Sequence, residues 1–270
     1  MGLGFFGLDD IQGCLMQPDI VDLQEFYLSR PGHWARVAIA RHINELWPDL
    51  SRRRLLGVGY AAPFLTEMPK AQQRMALMPA WQGAARWPKK GLNATFMSRD
   101  DDLPLPDRSV DRILIVHGLE CCRNPAKMLR ETWRVLADGG RLIAVVPNRT
   151  GLWSLSDSTP FGTGRPYSLG QVTATLRSNL FMPVAQARAL YMPPVRSKTL
   201  FRLARPAERI IGALLPQISG AIIVEAEKQI YAGSPVAEIS RASTGRYLPI
   251  PQSVAARERR NISTARRNRN

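Results

Sequence analysis

Two short, continuous apolar runs with a helical segment between them constrain this chain more than any other feature. The first run follows an acidic loop at 99–108 and continues from Val110 to His117, and the second extends from Arg141 to Val146. A continuous apolar run of this length is typical of a strand that is buried on both faces. The helix predicted over 125–136 begins with a proline and is followed by Gly139 and Gly140, which we expect to end it. Strand, helix and strand in this order predict a parallel sheet with a right-handed crossover.

The same alternation extends in both directions along the chain. The apolar run at 54–63 predicts a strand that enters a small-residue turn at 57–61 and then a helix. Further strands are predicted at 73–78, 93–97, 184–191 and 221–231, and further helices near 168–180 and 198–215. These make seven strands, of which we expect the last two to form an antiparallel pair at one edge. The fold class is therefore α/β, a mostly parallel Rossmann-like sheet with helices on both faces. We expect an N-terminal extension at 1–17, N-terminal helices at 18–50, a main domain at 51–236 and a basic tail at 237–270.

Charge and cysteine content narrow the classes of function. The formal net charge is +15, and residues 241–270 hold eight arginines and one glutamate. Such a tail binds nucleic acid or acidic surfaces weakly and non-specifically, or it is simply solvated. Three cysteines, two of them adjacent, indicate neither a disulfide framework nor a metal site, so we expect no metal and a cytoplasmic location. No run of eighteen apolar residues occurs, so no membrane span is expected.

The stretch from Leu103 to Gly140 resembles a known family. It reads Leu-Pro-Leu-Pro-Asp, then Ser-Val-Asp, then Leu-Arg-Glu-Thr-Trp-Arg-Val-Leu before the two glycines. This is similar to the second half of class I S-adenosylmethionine-dependent methyltransferases, and specifically to the type 11 methyltransferase-domain family. The resemblance implies a cofactor, S-adenosylmethionine, bound at the carboxyl ends of the strands, and a methyl acceptor that the sequence does not identify.

Residues for the cofactor follow from this resemblance. The family's glycine-rich turn after the first strand is matched by Gly57, Gly59 and Ala61, although a tight turn without a ligand explains the same residues. The acidic residue that the family has before this turn is Leu55 here. The carboxylate that binds the ribose is missing, because no Asp or Glu lies between Lys70 and Lys90, and Gln82 is the substitute we consider.

Four further residues are candidates near the cofactor and the reacting methyl group. Asp100 or Asp101 matches the acidic residue that accepts from the adenine amine, or both belong to a solvated loop. His117 ends the fourth strand, where it is either the catalytic proton acceptor or a residue that lines the cofactor pocket. Glu120 lies three residues further on.

A Gly- and Pro-rich loop after the fifth strand is the candidate substrate region. Arg149, Trp153, Arg165 and Tyr167 offer charge and aromatic faces that suit an anionic or planar substrate, or the loop packs as a lid without specific contacts. The expected function is methyl transfer to a small molecule or cell component. The alternative is a methyltransferase-fold binding or regulatory protein without catalysis, as Leu55 and the missing ribose carboxylate indicate. A third reading, nucleic-acid methylation, rests on the basic tail alone, since no target-positioning motif is present.

Overall fold

A computed structural model describes residues 17–156, 158–194, 212 and 214–230. The described residues form one sheet of seven strands in the order β3-β2-β1-β4-β5-β7-β6. The strands are β1 Arg54–Gly59, β2 Gln73–Pro79, β3 Thr95–Ser98, β4 Val110–Val116, β5 Leu136–Pro147, β6 Phe181–Ala189 and β7 Ala221–Lys228. β1 to β5 pair in parallel, and β7 pairs antiparallel with both β5 and β6. The predicted α/β fold class is confirmed.

Helices cover both faces of this sheet. The five α-helices of the described residues are α1 Ile20–Leu28, α2 Arg30–Leu46, α3 Ala62–Leu65, α4 Pro125–Val135 and α5 Leu169–Ser178. One apolar cluster joins α1, α2 and α3 to the sheet, and the other joins α4 and α5 to its opposite face. Side chains cap the longer helices: Asp19 and Ser29 accept amides at the starts of α1 and α2, and Ser168 forms a capping box with Gln171 on α5.

The end of α4 differs from the prediction. The helix stops at Val135, and the chain is already extended at Leu136, where β5 begins. Gly139 and Gly140 therefore lie inside β5 and do not end the helix. The pairing explains this, because Val110 faces Leu136 while Arg112 faces Arg141, so β5 contains extra residues at this point. Gly139, with a φ of 66°, lies within this irregular stretch.

Some sequence predictions fall on residues that the structure does not describe. The helix expected near 198–215 lies almost entirely outside the described residues, as do the tail at 237–270 and all of the extension at 1–17 except Gln17. Weak binding of nucleic acid or acidic surfaces by the tail, and a cytoplasmic location, stay predictions. Within the described ranges, no helix is both long and apolar enough to cross a membrane.

Candidate functional site at the carboxyl ends of the strands

The centre of the sheet brings the predicted cofactor residues to one edge. β1 and β4 are neighbours, and the chain leaves β1 toward α3 on one face and β4 toward α4 on the other. Ligands of open parallel sheets bind where the connections diverge in this way. Gly59, Gln82, Asp100 and His117 each follow or end one of the strands β1 to β4, at their carboxyl ends.

The turn after β1 begins later than predicted. Gly57 lies inside β1, paired with Ala76 and Leu114, and a Cβ there would come 2.7 Å from the Cβ of Ala61. Gly57 is therefore a packing glycine that lets α3 approach the strand, which corrects its assignment to the turn. Leu55, two residues before Gly57, is buried within the same strand. Because the turn is made by Gly59, the position two residues before the turn glycine is occupied by Gly57 and not by Leu55.

Gly59 is the residue that makes the turn. Its φ is 76°, and a Cβ at this position would collide with the backbone carbonyl oxygen of Val116 on β4. The next amide, from Tyr60, donates to that same carbonyl at 2.7 Å. The backbone of β4 thus requires a glycine here, independently of any ligand. The four-residue α3 that follows is shorter than the cofactor-facing helix that the resemblance implies.

Gln82 takes a buried position between β2 and β4. Its side chain amide donates to the backbone oxygen of His117 at 3.2 Å, and its own backbone oxygen accepts from the amide of Ile20 at 2.8 Å. The residue is 1% exposed. Its amide oxygen Oε1 has no hydrogen-bond partner among the described residues, so a buried acceptor is left over at the position predicted for ribose.

The two acidic candidates after β3 have different surroundings. Asp101 forms two hydrogen bonds with the Arg99 guanidinium, at 2.8 and 2.9 Å, and these bonds hold the pKa of its carboxyl below the usual value. Asp100 is half-buried and accepts from the indole N–H of Trp81 at 3.3 Å. Asp100 is therefore the carboxylate with more capacity for a further donor.

His117 lies at the centre of a buried hydrogen-bonded chain. Its Nδ1 is 3.1 Å from Oε1 of Glu120, and its Nε2 is 2.8 Å from the hydroxyl of Tyr27 on α1. Burial raises the pKa of Tyr27 well above its usual value, so the phenol keeps its proton and donates to Nε2. Nδ1 then carries the proton that Glu120 accepts. The imidazole is 1% exposed and its backbone has a φ of 50°, an uncommon conformation for a residue other than glycine.

This geometry limits what His117 can do. Both ring nitrogens already have partners, and Phe161 packs edge-on at 4.9 Å between ring centres. A substrate proton reaches Nε2 only if Tyr27 gives up its hydrogen bond. The role of His117 as proton acceptor stays a prediction.

Helix α1 and the residue Gln17 before it contact the segments that follow β2 and β4. Before its first turn, the Gln17 side chain donates to the Cys121 backbone oxygen at 2.6 Å. Its first residue, Ile20, is bonded to Gln82, and its last turn holds His117 through Tyr27. Neither Tyr27 nor the contacts at Ile20 and Gln17 had been singled out from the sequence, because these pairs are 62 to 104 residues apart.

The predicted substrate loop overhangs the turn after β4. The amide of Arg165 donates to the backbone oxygen of Glu120 at 2.9 Å. The Tyr167 hydroxyl lies 3.5 Å from the backbone oxygen of Leu119. The side chains of Arg149 and Arg165 are exposed. Trp153 is a core residue with no exposed surface: its ring stacks on Trp34 and its indole N–H donates to Met192. Trp153 is therefore removed from the candidate substrate contacts.

A second feature was not found from the sequence. A cavity of about 940 Å³ lies between α1, α2, α3 and the loop at 85–89. None of the predicted site residues lines it. The basic and aromatic run at 86–90 was a visible signal, but only the fold shows that α1 and α2 complete the walls.

Comparison with known proteins agrees with this architecture. Residues 57–144 match the family described as a methyltransferase domain. A methyltransferase of Thermotoga maritima, described as S-adenosylmethionine-dependent and a possible histamine N-methyltransferase, superposes with a TM-score of 0.58 at 16% identity, covering 78% of this chain and 95% of that one.

Two further structures share the fold. An S-adenosylmethionine-dependent methyltransferase from Mesorhizobium loti gives a TM-score of 0.51 at 13% identity, over 70% of this chain and 96% of that one. A chain from the complex of the Haloferax volcanii Trm112 methyltransferase activator with a methyltransferase gives a TM-score of 0.52 at 12% identity. The match covers 74% of this chain and 94% of that one. No curated protein sequence matches the chain.

Proposed function

We propose that this chain is a class I S-adenosylmethionine-dependent methyltransferase that transfers a methyl group to a small-molecule or cellular acceptor. The shared fold and the match over residues 57–144 support this proposal. The observation that carries the proposal is the gathering of Gly59, Gln82, Asp100 and His117 at the point where the connections of the sheet diverge.

The chemistry of these residues fits a nucleoside. Gln82 offers a buried amide oxygen that has no partner in the described part of the chain, which suits a ribose hydroxyl. Asp100 offers a carboxylate that suits the adenine amine. When bound, S-adenosylmethionine supplies a methyl group that is already electrophilic, so the protein contributes mainly by positioning the acceptor and excluding water.

Binding at this site requires α1 to move. Gln82 and His117 are covered by α1, which is bonded to the first through Ile20 and to the second through Tyr27. We infer that α1 withdraws when the cofactor enters. Withdrawal also frees Nε2 of His117 to accept a proton from the acceptor.

Calorimetric titration with S-adenosylhomocysteine tests the proposal. We expect the wild-type protein to bind it, and Gln82→Ala to weaken binding about tenfold or more, because the acceptor for the ribose is lost. Gln72→Ala, an exposed glutamine just before the start of β2, at the opposite edge of the sheet, is the matched control and leaves the affinity unchanged. Transfer of a labelled methyl group from S-adenosylmethionine to a metabolite mixture then identifies the acceptor.

A specific observation supports a second candidate function, a methyltransferase-fold protein that binds or regulates without catalysis. Both ring nitrogens of His117 have partners without a cofactor, in Tyr27 and Glu120, and the turn amide of Tyr60 is already bonded to Val116. No heat of binding at millimolar S-adenosylhomocysteine, with the protein folded, would contradict the enzyme proposal and favour this one.

A further inference from the structure

The cavity beside α1 combines an apolar floor with a basic rim. Its floor includes the buried side chains of Tyr27, Tyr60, Met78 and Trp87. The turn after β1 and the end of β2 form two walls of the cavity. The other walls are α1, α2 and the loop at 85–89. A volume of about 940 Å³ is large enough for a drug-sized organic molecule.

The rim carries basic groups and lacks acidic ones. The residues with basic side chains that line the cavity are Arg30, His33, Arg36, Arg86 and Lys89. No Asp or Glu is among its described lining residues. Arg36 is paired with Glu67, but no carboxylate in the described part of the chain pairs with Arg30, Arg86 or Lys89. The Arg86 guanidinium donates to the backbone oxygen of Gly91 at 2.5 Å, which leaves its charge uncompensated. The positive charges of these three residues are therefore available to an anion from solution.

The aromatic floor is held in place before any ligand arrives. The indole N–H of Trp87 donates to the hydroxyl of Thr66 at 2.9 Å, and the Arg74 guanidinium lies 5.6 Å from the ring centre. Next to it, the amide of Ala85 lies 3.2 Å from the sulfur of Met78. Binding thus costs little ordering of the floor.

We propose that this cavity binds an organic anion, a carboxylate or a phosphate ester, whose planar or aliphatic body packs on Trp87 and Tyr60. The charged group is held at the rim by Arg30, Arg86 and Lys89. Gln82, Asp100 and His117 do not line the cavity, but α1 and Tyr27 border both sites, so anion binding is tested in the absence of cofactor.

The test uses 8-anilinonaphthalene-1-sulfonate, a planar aromatic anion that fluoresces when bound to an apolar surface. We expect saturable binding to the full-length protein without any cofactor, weakened by added sodium chloride. The uncharged N-phenyl-1-naphthylamine should bind at least tenfold more weakly. Displacement by octanoate and by octyl phosphate then separates the two kinds of headgroup.

Charge reversal locates the site. We expect the double variant Arg86→Glu with Lys89→Glu to weaken binding of the sulfonate about tenfold or more, since both residues are exposed and their loss leaves the fold intact. Lys127→Glu with Arg130→Glu, two exposed basic residues on α4 at the opposite face of the sheet, is the control with the same change in net charge. The neutral pair Arg86→Gln with Lys89→Gln should give an intermediate loss.

Three results would overturn the proposal: equal affinity for the charged and neutral dyes, equal effects of the two double charge reversals on the rim and on α4, or no saturable binding. The test of the cavity does not use S-adenosylhomocysteine. Anion binding can therefore be absent while the proposed methyl transfer holds, and methyl transfer can be absent while anion binding holds.

Discussion

Single residues at the strand ends are constrained by backbone contacts more than by ligand chemistry. Gly59 shows this, because it has a left-handed φ and its missing Cβ leaves room for the carbonyl of Val116. Gly139 also has a positive φ, of 66°, but nothing lies within 4 Å of the place where its Cβ would be. Substitutions at these two glycines therefore separate the cost of a left-handed backbone from the cost of a steric collision.

We predict that Gly59→Ala lowers the free energy of unfolding by about 3 kcal/mol, while Gly139→Ala lowers it by about 1 kcal/mol. Both changes force an alanine into the left-handed region, but only the first also drives a methyl group into β4. Urea denaturation followed by circular dichroism measures both values. Equal losses would show that β4 yields to the methyl group and that packing against β4 does not require a glycine at position 59.

His117 shows which features of a single residue can be predicted from the sequence. Its place at the end of β4 follows from the length of the apolar run, and the structure has it directly after Val116. Its partner Tyr27 lies 90 residues earlier, and nothing in the local pattern of α1 indicates that the hydroxyl points to an imidazole. Position along a strand could be predicted, whereas the contacts that decide the chemistry could not.

At the scale of elements, charged side chains tie the acidic loop and the strands together. Arg134 on α4 donates to the backbone oxygens of Leu103 and Leu105 and pairs with Glu131 and Asp107. The Leu-Pro-Leu-Pro-Asp stretch and the arginine of the following helix, which carried the family resemblance, are thus parts of one clamp. Their spacing reflects the packing of a loop on a helix.

Asp111 makes a second tie, between the starts of β1 and β4. It accepts from the backbone amide of Arg54 at 2.8 Å and from the guanidinium at 3.1 and 3.3 Å. Partial burial opposes ionisation of the carboxyl, but the bonds from Arg54 outweigh it and hold its pKa below the usual value.

We predict that Asp111→Asn lowers the free energy of unfolding by about 1–2 kcal/mol at pH 7. Because the carboxyl has a lower pKa in the folded state, its contribution is complete above about pH 4 to 5, near the unfolded value, and is lost as the pH falls through the folded pKa. Urea denaturation of both proteins from pH 7 to pH 3 should show the two stabilities converging at the acid end. A difference that stays constant over this range would contradict the ion-pair explanation.

Elements were predicted best where burial dictates the pattern. The positions of β1, β2, β4, α4 and α5 follow from apolar runs and helical spacing, to within about two residues at most ends. The start of β5 was missed because two glycines are typical of a helix end, whereas the structure uses them in a strand with irregular pairing. The brevity of α3 is likewise a consequence of tertiary packing.

On the scale of the whole molecule, the N-terminal helices are part of the core. Trp34 on α2 stacks on Trp153, and Phe26 on α1 contacts both Trp153 and Phe161. Trp153, which is a substrate candidate by sequence, is thus one of the core residues that hold α1 against the sheet. The mostly parallel sheet with an antiparallel pair at one edge could be predicted. The contacts of α1 with the strand ends could not, since they join residues far apart in the sequence.

A disulfide between α1 and the loop after β2 tests whether these contacts control the site. A Cβ at Gly83 would lie 3.7 Å from the Cβ of Ile20, which matches the geometry of a disulfide. We predict that Ile20→Cys with Gly83→Cys, once oxidised, binds S-adenosylhomocysteine at least tenfold more weakly than its reduced form, because α1 can no longer withdraw. Calorimetric titration before and after addition of dithiothreitol measures the change.

The reduced double variant is its own control for the strain of placing a cysteine at Gly83, where φ is 83°. Wild-type protein under the same oxidant controls for the native cysteines, of which Cys121 and Cys122 are buried. If the oxidised and reduced forms bind the ligand equally, α1 does not gate these strand ends. The cofactor would then have to enter without breaking the bonds from Ile20 to Gln82 and from Tyr27 to His117, which would return Gln82 and His117 to structural roles.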